Sequence, residues 1–145
     1  MESDTSRHRV CIIDGQGGGI GSVVIKKLKE RCGEGIELIA LGTNAIATAQ
    51  MLKARANKGA SGTNAIVQTV KKTDLIIGSV AIVMPHAMMG EVTPEMAEAI
   101  CQSDAKKLLL PLSQENIAIV GTSGLPLPVL VDELMEKYFA SHFRG

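Results

Sequence analysis

Asp14 and the seven residues after it carry the densest chemistry in this chain. Residues 10–22 read Val-Cys-Ile-Ile-Asp-Gly-Gln-Gly-Gly-Gly-Ile-Gly-Ser, and five of the seven from Gly15 to Gly21 are glycine. A β-branched run ends at Asp14 and a helical pattern follows. A strand, a glycine loop and a helix start in succession are the turn with which α/β proteins hold phosphates. Glycine lets a ligand approach the backbone closely. The free N–H groups of a helix start, with the helix dipole, favour an anion. Gly15, Gln16, Gly17, Gly18, Gly19, Ile20 and Gly21 are therefore candidate contacts for a phosphorylated ligand.

The spacing narrows the choice. A strict GxGxxG pattern starting at Gly15 needs glycine at position 20, where Ile20 stands. The looser GxxxGxG pattern fits Gly15, Gly19 and Gly21, as in the loop of short-chain dehydrogenases. No Gly-Lys-Ser/Thr follows, which excludes a Walker A loop. A dinucleotide site also expects a carboxylate about 20 residues on, for the ribose. The second strand pattern ends Ile-Ala-Leu-Gly-Thr-Asn, with no acid.

Asp14 has three readings. It accepts hydrogen bonds from the loop's own N–H groups, as Asx turns do, it holds Mg²⁺ through a water shell, or it serves as a catalytic acid/base. The first is preferred, because a carboxylate repels a phosphate unless a cation bridges them, and no metal site is assigned. His86, in Met-Pro-His-Ala-Met-Met-Gly-Glu, is the other acid/base candidate, by its position after a strand and its native pKa. Gly-Thr-Asn-Ala-Ile occurs at 42–46 and again at 62–66. Gly42, Thr43, Asn44, Gly62, Thr63 and Asn64 are candidate ligand contacts; helix capping is the plainer role for the Thr and Asn residues. Glu91 and Glu95 read as helix-start charges.

These residues need a scaffold, and strand and helix patterns alternate along the chain. That favours a three-layer α/β sandwich with an open, mostly parallel sheet of about five strands. Strands are expected at Arg9–Asp14, Ile36–Leu41, Asp74–Val83, Lys107–Leu112 and Ile117–Gly121. Helices are expected at Gly19–Arg31 with a stop at Gly33, at Asn44–Ala54, at Thr63–Lys72, from Thr93 and from Pro126. Only Ser113–Asn116 separate the last two strands, too few for a parallel crossover, which takes about a dozen residues. The last strand is therefore expected antiparallel at the sheet edge. The second helix descends about 16 Å. Residues 55–62, if extended, climb about 25 Å back. Both Gly-Thr-Asn segments then open helices at the carboxyl edge, and residues 15–21, 42–44 and 62–64 are expected to converge on one crevice there.

Composition sets the remaining bounds. With 145 residues, one domain over 9–142 is expected, preceded by a polar, flexible tail at 1–8. Hydrophobic residues make up 46% and aromatics 2%, so the core is aliphatic. Fifteen Lys+Arg balance fifteen Asp+Glu, which leaves no basic footprint for nucleic acid. No apolar run reaches the ~20 residues of a membrane span. Cys11, Cys32 and Cys101 form no CxxC pair, and the start of the chain lacks an apolar signal core; both point to a cytoplasmic chain. The methionine content fits a homodimer.

Several longer segments occur in one order: Val-Cys-Ile-Ile-Asp-Gly-Gln-Gly-Gly-Gly-Ile-Gly; Gly-Thr-Asn-Ala-Ile-Ala-Thr followed by Met-Leu-Lys-Ala; Ser-Gly-Thr-Asn-Ala-Ile; Gly-Glu-Val-Thr-Pro-Glu-Met-Ala-Glu-Ala-Ile; Lys-Lys-Leu-Leu-Leu-Pro-Leu; and Ile-Val-Gly. Together they resemble a small bacterial family known as domain of unknown function number three-eight-four-two, over about residues 9–138. The resemblance implies a compact Rossmann-like domain in bacteria and supplies no catalytic residue. Short-chain dehydrogenases share the loop but need Tyr-x-x-x-Lys, and here the sole tyrosine, Tyr138, is followed by His142. Methylglyoxal-synthase-like domains are similar in size and in their Gly-Thr-rich turn, but their acidic residues find no clear match.

The function expected from the sequence is binding of a small phosphorylated ligand, with NAD(P) or another nucleotide as the cofactor class. One alternative is an enzyme acting on a small phosphorylated metabolite through Asp14 and His86. The other is a non-catalytic partner-binding or regulatory module.

Overall fold

The strand of residues His8–Asp14 (β1) alternates its side chains between two layers. Val10 and Ile12 face one, Cys11 and Ile13 the other, and all four are buried. Such two-sided burial marks the centre of a parallel sheet. The computed structural model describes residues 7–113, 115–122 and 124–143. The expected tail lies, up to residue 6, outside them, and β1 begins at His8.

After β1 come α1 (Gly19–Cys32), β2 (Ile36–Gly42), α2 (Ala45–Lys53), β3 (Lys58–Ser61) and α3 (Thr63–Thr69), which runs into a 3-10 turn at Val70–Lys72. Then follow β4 (Leu75–Ser79), a 3-10 turn at Val80–Val83, α4 (Pro94–Gln102) and β5 (Lys106–Leu110). The last helix, α5 (Leu127–Glu133), continues through a π-helical stretch at Leu134–Phe139 to Ala140–His142. The five strands lie in the order β3-β2-β1-β4-β5, all parallel.

One layer packs Val24, Ile25 and Leu28 of α1, Met51 of α2, and Val131 and Leu134 against Ile12, Leu38 and Ile77. The other packs Ile66, Met96, Ala97 and Ile100 against Ile13, Leu41 and Ile76. Burying each such aliphatic side chain stabilises by about 1.5–3 kcal/mol. In a chain this poor in aromatics, their number makes the core. α1 stops where expected: Gly33, at φ 55°, sends its N–H to Lys29 O at 3.0 Å.

Three expectations are corrected. Among the described residues no antiparallel strand forms: residues 117–121 join no sheet, with Ile117 and Val120 exposed, and β5 is itself the parallel edge. The remaining strand is β3, inside the segment read as a plain climb. Its Lys-Gly-Ala-Ser sequence is wholly exposed and carries no apolar alternation to announce it. Finally, β4 ends at Ser79, because Ser79 Oγ accepts the Ala81 N–H at 3.2 Å and turns the chain.

Register fixes the site. Asp14 sits opposite Gly42, and Gly42 opposite Ser61, so the ends of β1, β2 and β3 lie side by side. Further down the sheet, Glu37 bridges Arg9 Nε and Lys58 Nζ, each at 2.9 Å, tying the three strands together. The Lys58 bond holds the Glu37 carboxyl below its ordinary range against the opposing effect of burial, with Arg9 adding to it.

Candidate functional site

The turn from β1 to α1 is built around Asp14, which is buried. Its Oδ1 accepts the Gly15 N–H and its Oδ2 the Gly21 N–H, both at 2.7 Å. The Ile20 N–H also faces it. Burial pushes the Asp14 carboxyl up, the Gly21, Gly15 and Ile20 amides pull it down, and the Glu91 charge raises it again; the net direction is upward. Asp14 thus does what the Asx-turn reading expects, and the loop's own donors surround it.

Gly18 closes the turn with its N–H on Gly15 O at 2.9 Å. It sits at φ 76°, and a methyl there would lie 2.8 Å from Ala47 O. Gly21 packs as tightly: a methyl would lie 2.5 Å from Met51 Sδ. These contacts bring α1 and α2 onto the loop. Gly17 and Gly19 are different. They are exposed, a methyl on either meets open space, and among the described residues their N–H groups meet no acceptor.

The second cluster centres on Glu91, which is not a helix-start charge: α4 begins only at Pro94. Glu91 Oε1 accepts the Gln16 N–H at 2.7 Å, the Thr43 hydroxyl at 2.7 Å and the Asn44 Nδ2 amide at 2.9 Å. Burial alone would raise its carboxyl; the three donors outweigh that and hold it below the ordinary range. Asn44 has two jobs. Its Oδ1 caps α2 by accepting the Ala47 N–H at 2.8 Å, while its amide donates to Gln16 O at 3.1 Å as well as to Glu91.

The strand order reverses between β1 and β4, the place where open α/β sheets bind ligands. A crevice of about 510 Å³ opens there, lined by Asp14, Gln16, Ile20, Ser79, His86 and Met88. Glu115 also lines it, its Oε2 accepting the Met88 N–H at 3.1 Å; no Lys or Arg does among the described residues. An apolar cavity of about 570 Å³ lies apart from this chemistry, between β5 and α5.

The sequence candidates therefore divide. Asp14, Gln16, Ile20 and His86 share the crevice. Gly15, Gln16, Thr43 and Asn44 surround the Glu91 carboxylate. Gly62 donates to Gly42 O at 2.9 Å, so both Gly-Thr-Asn segments open helices at one edge. Thr63 and Asn64 nonetheless face away from the crevice. Thr63 Oγ1 meets Thr93 Oγ1 at 3.2 Å, and Thr63 and Asn64 line a groove between α3 and α4. Sequence reasoning missed Glu91, Ser79 and Glu115. The signal for Glu91 was an acid after a strand, ahead of the helix start at Thr93.

Among the described residues no helix is long and apolar enough to cross a membrane. No curated protein matches the chain. The model of the family described as Domain of unknown function (DUF3842) matches residues 9–142, nearly the whole chain, and the protein belongs to that family.

Proposed function

We propose that the protein binds a small phosphorylated ligand, a nucleotide or dinucleotide such as NAD(P), at the carboxyl edge of β1 and β2. One observation carries this reading. The Gly17 and Gly19 amides, which meet no acceptor among the described residues and stand at the start of a 14-residue helix, lie in the same loop as Gln16, whose N–H joins Thr43 and Asn44 on a single anionic oxygen. Helix-start amides and a converging set of neutral donors are what a phosphate group recognises. β2 ends without a carboxylate for a ribose, so phosphate contacts carry the binding. Because Asp14 faces the loop's own amides, its charge is partly spent before a ligand arrives.

The test is a thermal-shift panel of nucleotides, dinucleotides and sugar phosphates. A ligand at 100 times its Kd stabilises by about 2.7 kcal/mol. At about 2–4 °C per kcal/mol for a chain of this size, that is a rise of roughly 5–10 °C. Gly19→Asp should abolish the shift, since its side chain fits open space but brings a negative charge to the helix start. A panel in which nothing shifts wild type refutes the proposal. Under the partner-module alternative, Gly19→Asp leaves partner binding intact.

One observation favours the enzyme reading: Asp14 and His86 line the same crevice, and burial favours the protonated Asp14. In that case Asp14→Asn and His86→Ala lose turnover and keep affinity. Association into a homodimer is supported by exposed apolar side chains, Ile117, Val120 and Tyr138 among them. Sedimentation velocity would decide it.

A further inference from the structure

Glu91 supplies the oxygen on which those three donors meet, and it belongs to a segment of unusual backbone. The chain from Met84 to Val92 leaves the 3-10 turn after β4 and folds back over the glycine loop. Ala87 and Val92 are buried and anchor it in the core. His86 N donates to Val92 O at 2.6 Å and closes its neck. Between these anchors the tip is unusual. His86, Met88 and Met89 take φ of 70°, 59° and 57°, and Gly90 follows at 92°. Left-handed backbone is unfavourable for residues with a side chain, so something must hold the tip there. Met89 cannot, being 94% exposed.

Its own turn bonds and the Glu115 carboxylate on the Met88 N–H steady it, and two further contacts tie it to the glycine loop. The tip packs on Gly15, where an added methyl would lie 2.6 Å from Met88 Sδ and 2.8 Å from Glu91 Oε1. Glu91 then reaches the three donors from Gln16, Thr43 and Asn44. Those donors come from two different turns, and they meet one carboxylate oxygen at 2.7–2.9 Å. A phosphoryl oxygen asks for donors at the same distances. One seat cannot hold both anions.

We infer that Glu91 is an internal occupant of the ligand's anion seat, and that an incoming phosphate binds by displacing the Glu91 carboxylate and releasing the 88–91 tip. This rests on the reading of this edge as a phosphate site. It makes Glu91 a gate: the free protein keeps its donors satisfied, and only a group that replaces all three bonds opens it. A mono-anion reaching Gly17 and Gly19 alone does not.

The test compares wild type with Glu91→Ala and Glu91→Gln, using inorganic pyrophosphate and adenosine diphosphate as probes. Hydrogen exchange without a probe comes first. In Glu91→Ala the Gln16 amide and residues 88–91 should exchange at least tenfold faster, with Glu91→Gln between it and wild type. Titration calorimetry should then show Glu91→Ala binding a probe at least fivefold more tightly than wild type. If wild type binds and Glu91→Ala binds equally or more weakly, Glu91 supports the ligand and the displacement is overturned while the phosphate reading stands. If Gln16 exchange accelerates but neither protein binds either probe, the seat is an internal lock, and the phosphate reading falls with the gate. If exchange at Gln16 is unchanged, Glu91 does not hold the tip and the inference is wrong whatever binds.

Discussion

Replacing Gly18 by alanine probes the joint that holds the whole edge together. Two costs add. The residue sits at φ 76° and ψ 17°, left-handed backbone that costs an alanine about 1–2 kcal/mol. Its methyl would also lie 2.8 Å from Ala47 O and 3.0 Å from Ala47 Cα. These are backbone atoms in the first turn of α2, which yield only by moving the helix; overpacking of this kind costs about 1–3 kcal/mol. Alanine restricts the unfolded chain and returns about 0.4–1 kcal/mol. The net loss spans roughly 1–4.6 kcal/mol and centres near about 3 kcal/mol, a fall of about 6–12 °C in Tm at 2–4 °C per kcal/mol. The control is Gly19→Ala, one residue on, where a methyl meets open space and the backbone is ordinary. It should match or slightly exceed wild type, since alanine suits a helix better than glycine. Thermal and urea unfolding of the pair provide the measurement. The shift of α2 also carries Asn44 away from Gln16 and Glu91, so Gly18→Ala should speed exchange at the Gln16 amide. If Gly18→Ala and Gly19→Ala unfold together at the wild-type temperature, the described turn is not the one the protein forms.

Two further outcomes follow from charge and burial. The Glu37 carboxyl is held below its ordinary value of 4.5, so its contribution is present above that pH and is lost as pH falls through the lower folded value. Glu37→Gln should therefore cost about 1–2 kcal/mol near neutrality and flatten the acid limb of the stability curve; an unchanged acid limb would show that the Arg9–Glu37–Lys58 ladder contributes nothing. Burial pushes the Cys11 thiol up to about 11, and Cys11 is fully enclosed while Cys101 is exposed. A maleimide at neutral pH should label Cys101 first and Cys11 only on unfolding. Early Cys11 labelling would mean that β1 is not the sealed centre of the sheet.

The fold was largely legible because its central strands announce themselves. β1, β2 and β4 are near-continuous Val, Ile and Leu runs, as strands buried on both faces must be. The helices carry caps that can be read directly, such as Thr93 before Pro94. The edges were not legible. β3 is four exposed residues held by backbone pairing to β2, and pairing leaves no mark on side-chain type. The Ile-Ala-Ile-Val run has a strand's composition, yet what makes a strand is a partner edge, and among the described residues it has none. Within the site, the glycine loop and both Gly-Thr-Asn turns were visible because their residues do unusual backbone work. Glu91 was not, because its importance lies in donors contributed by Gln16, Thr43 and Asn44, distant in sequence. Thr63 and Asn64 misled for the opposite reason. They repeat Thr43 and Asn44 in sequence, but β3 sets them one strand further out, beside α4.

The central claim is that the exposed amides of the β1–α1 turn receive an anion. Its most direct test is a titration of the ¹⁵N-labelled protein with a nucleoside diphosphate, followed amide by amide. The Gly17 and Gly19 signals should move first and furthest, with Gln16 following as the Glu91 carboxylate leaves it. Saturating shifts confined to the groove between α3 and α4, or a spectrum unmoved by millimolar ligand, would contradict the claim.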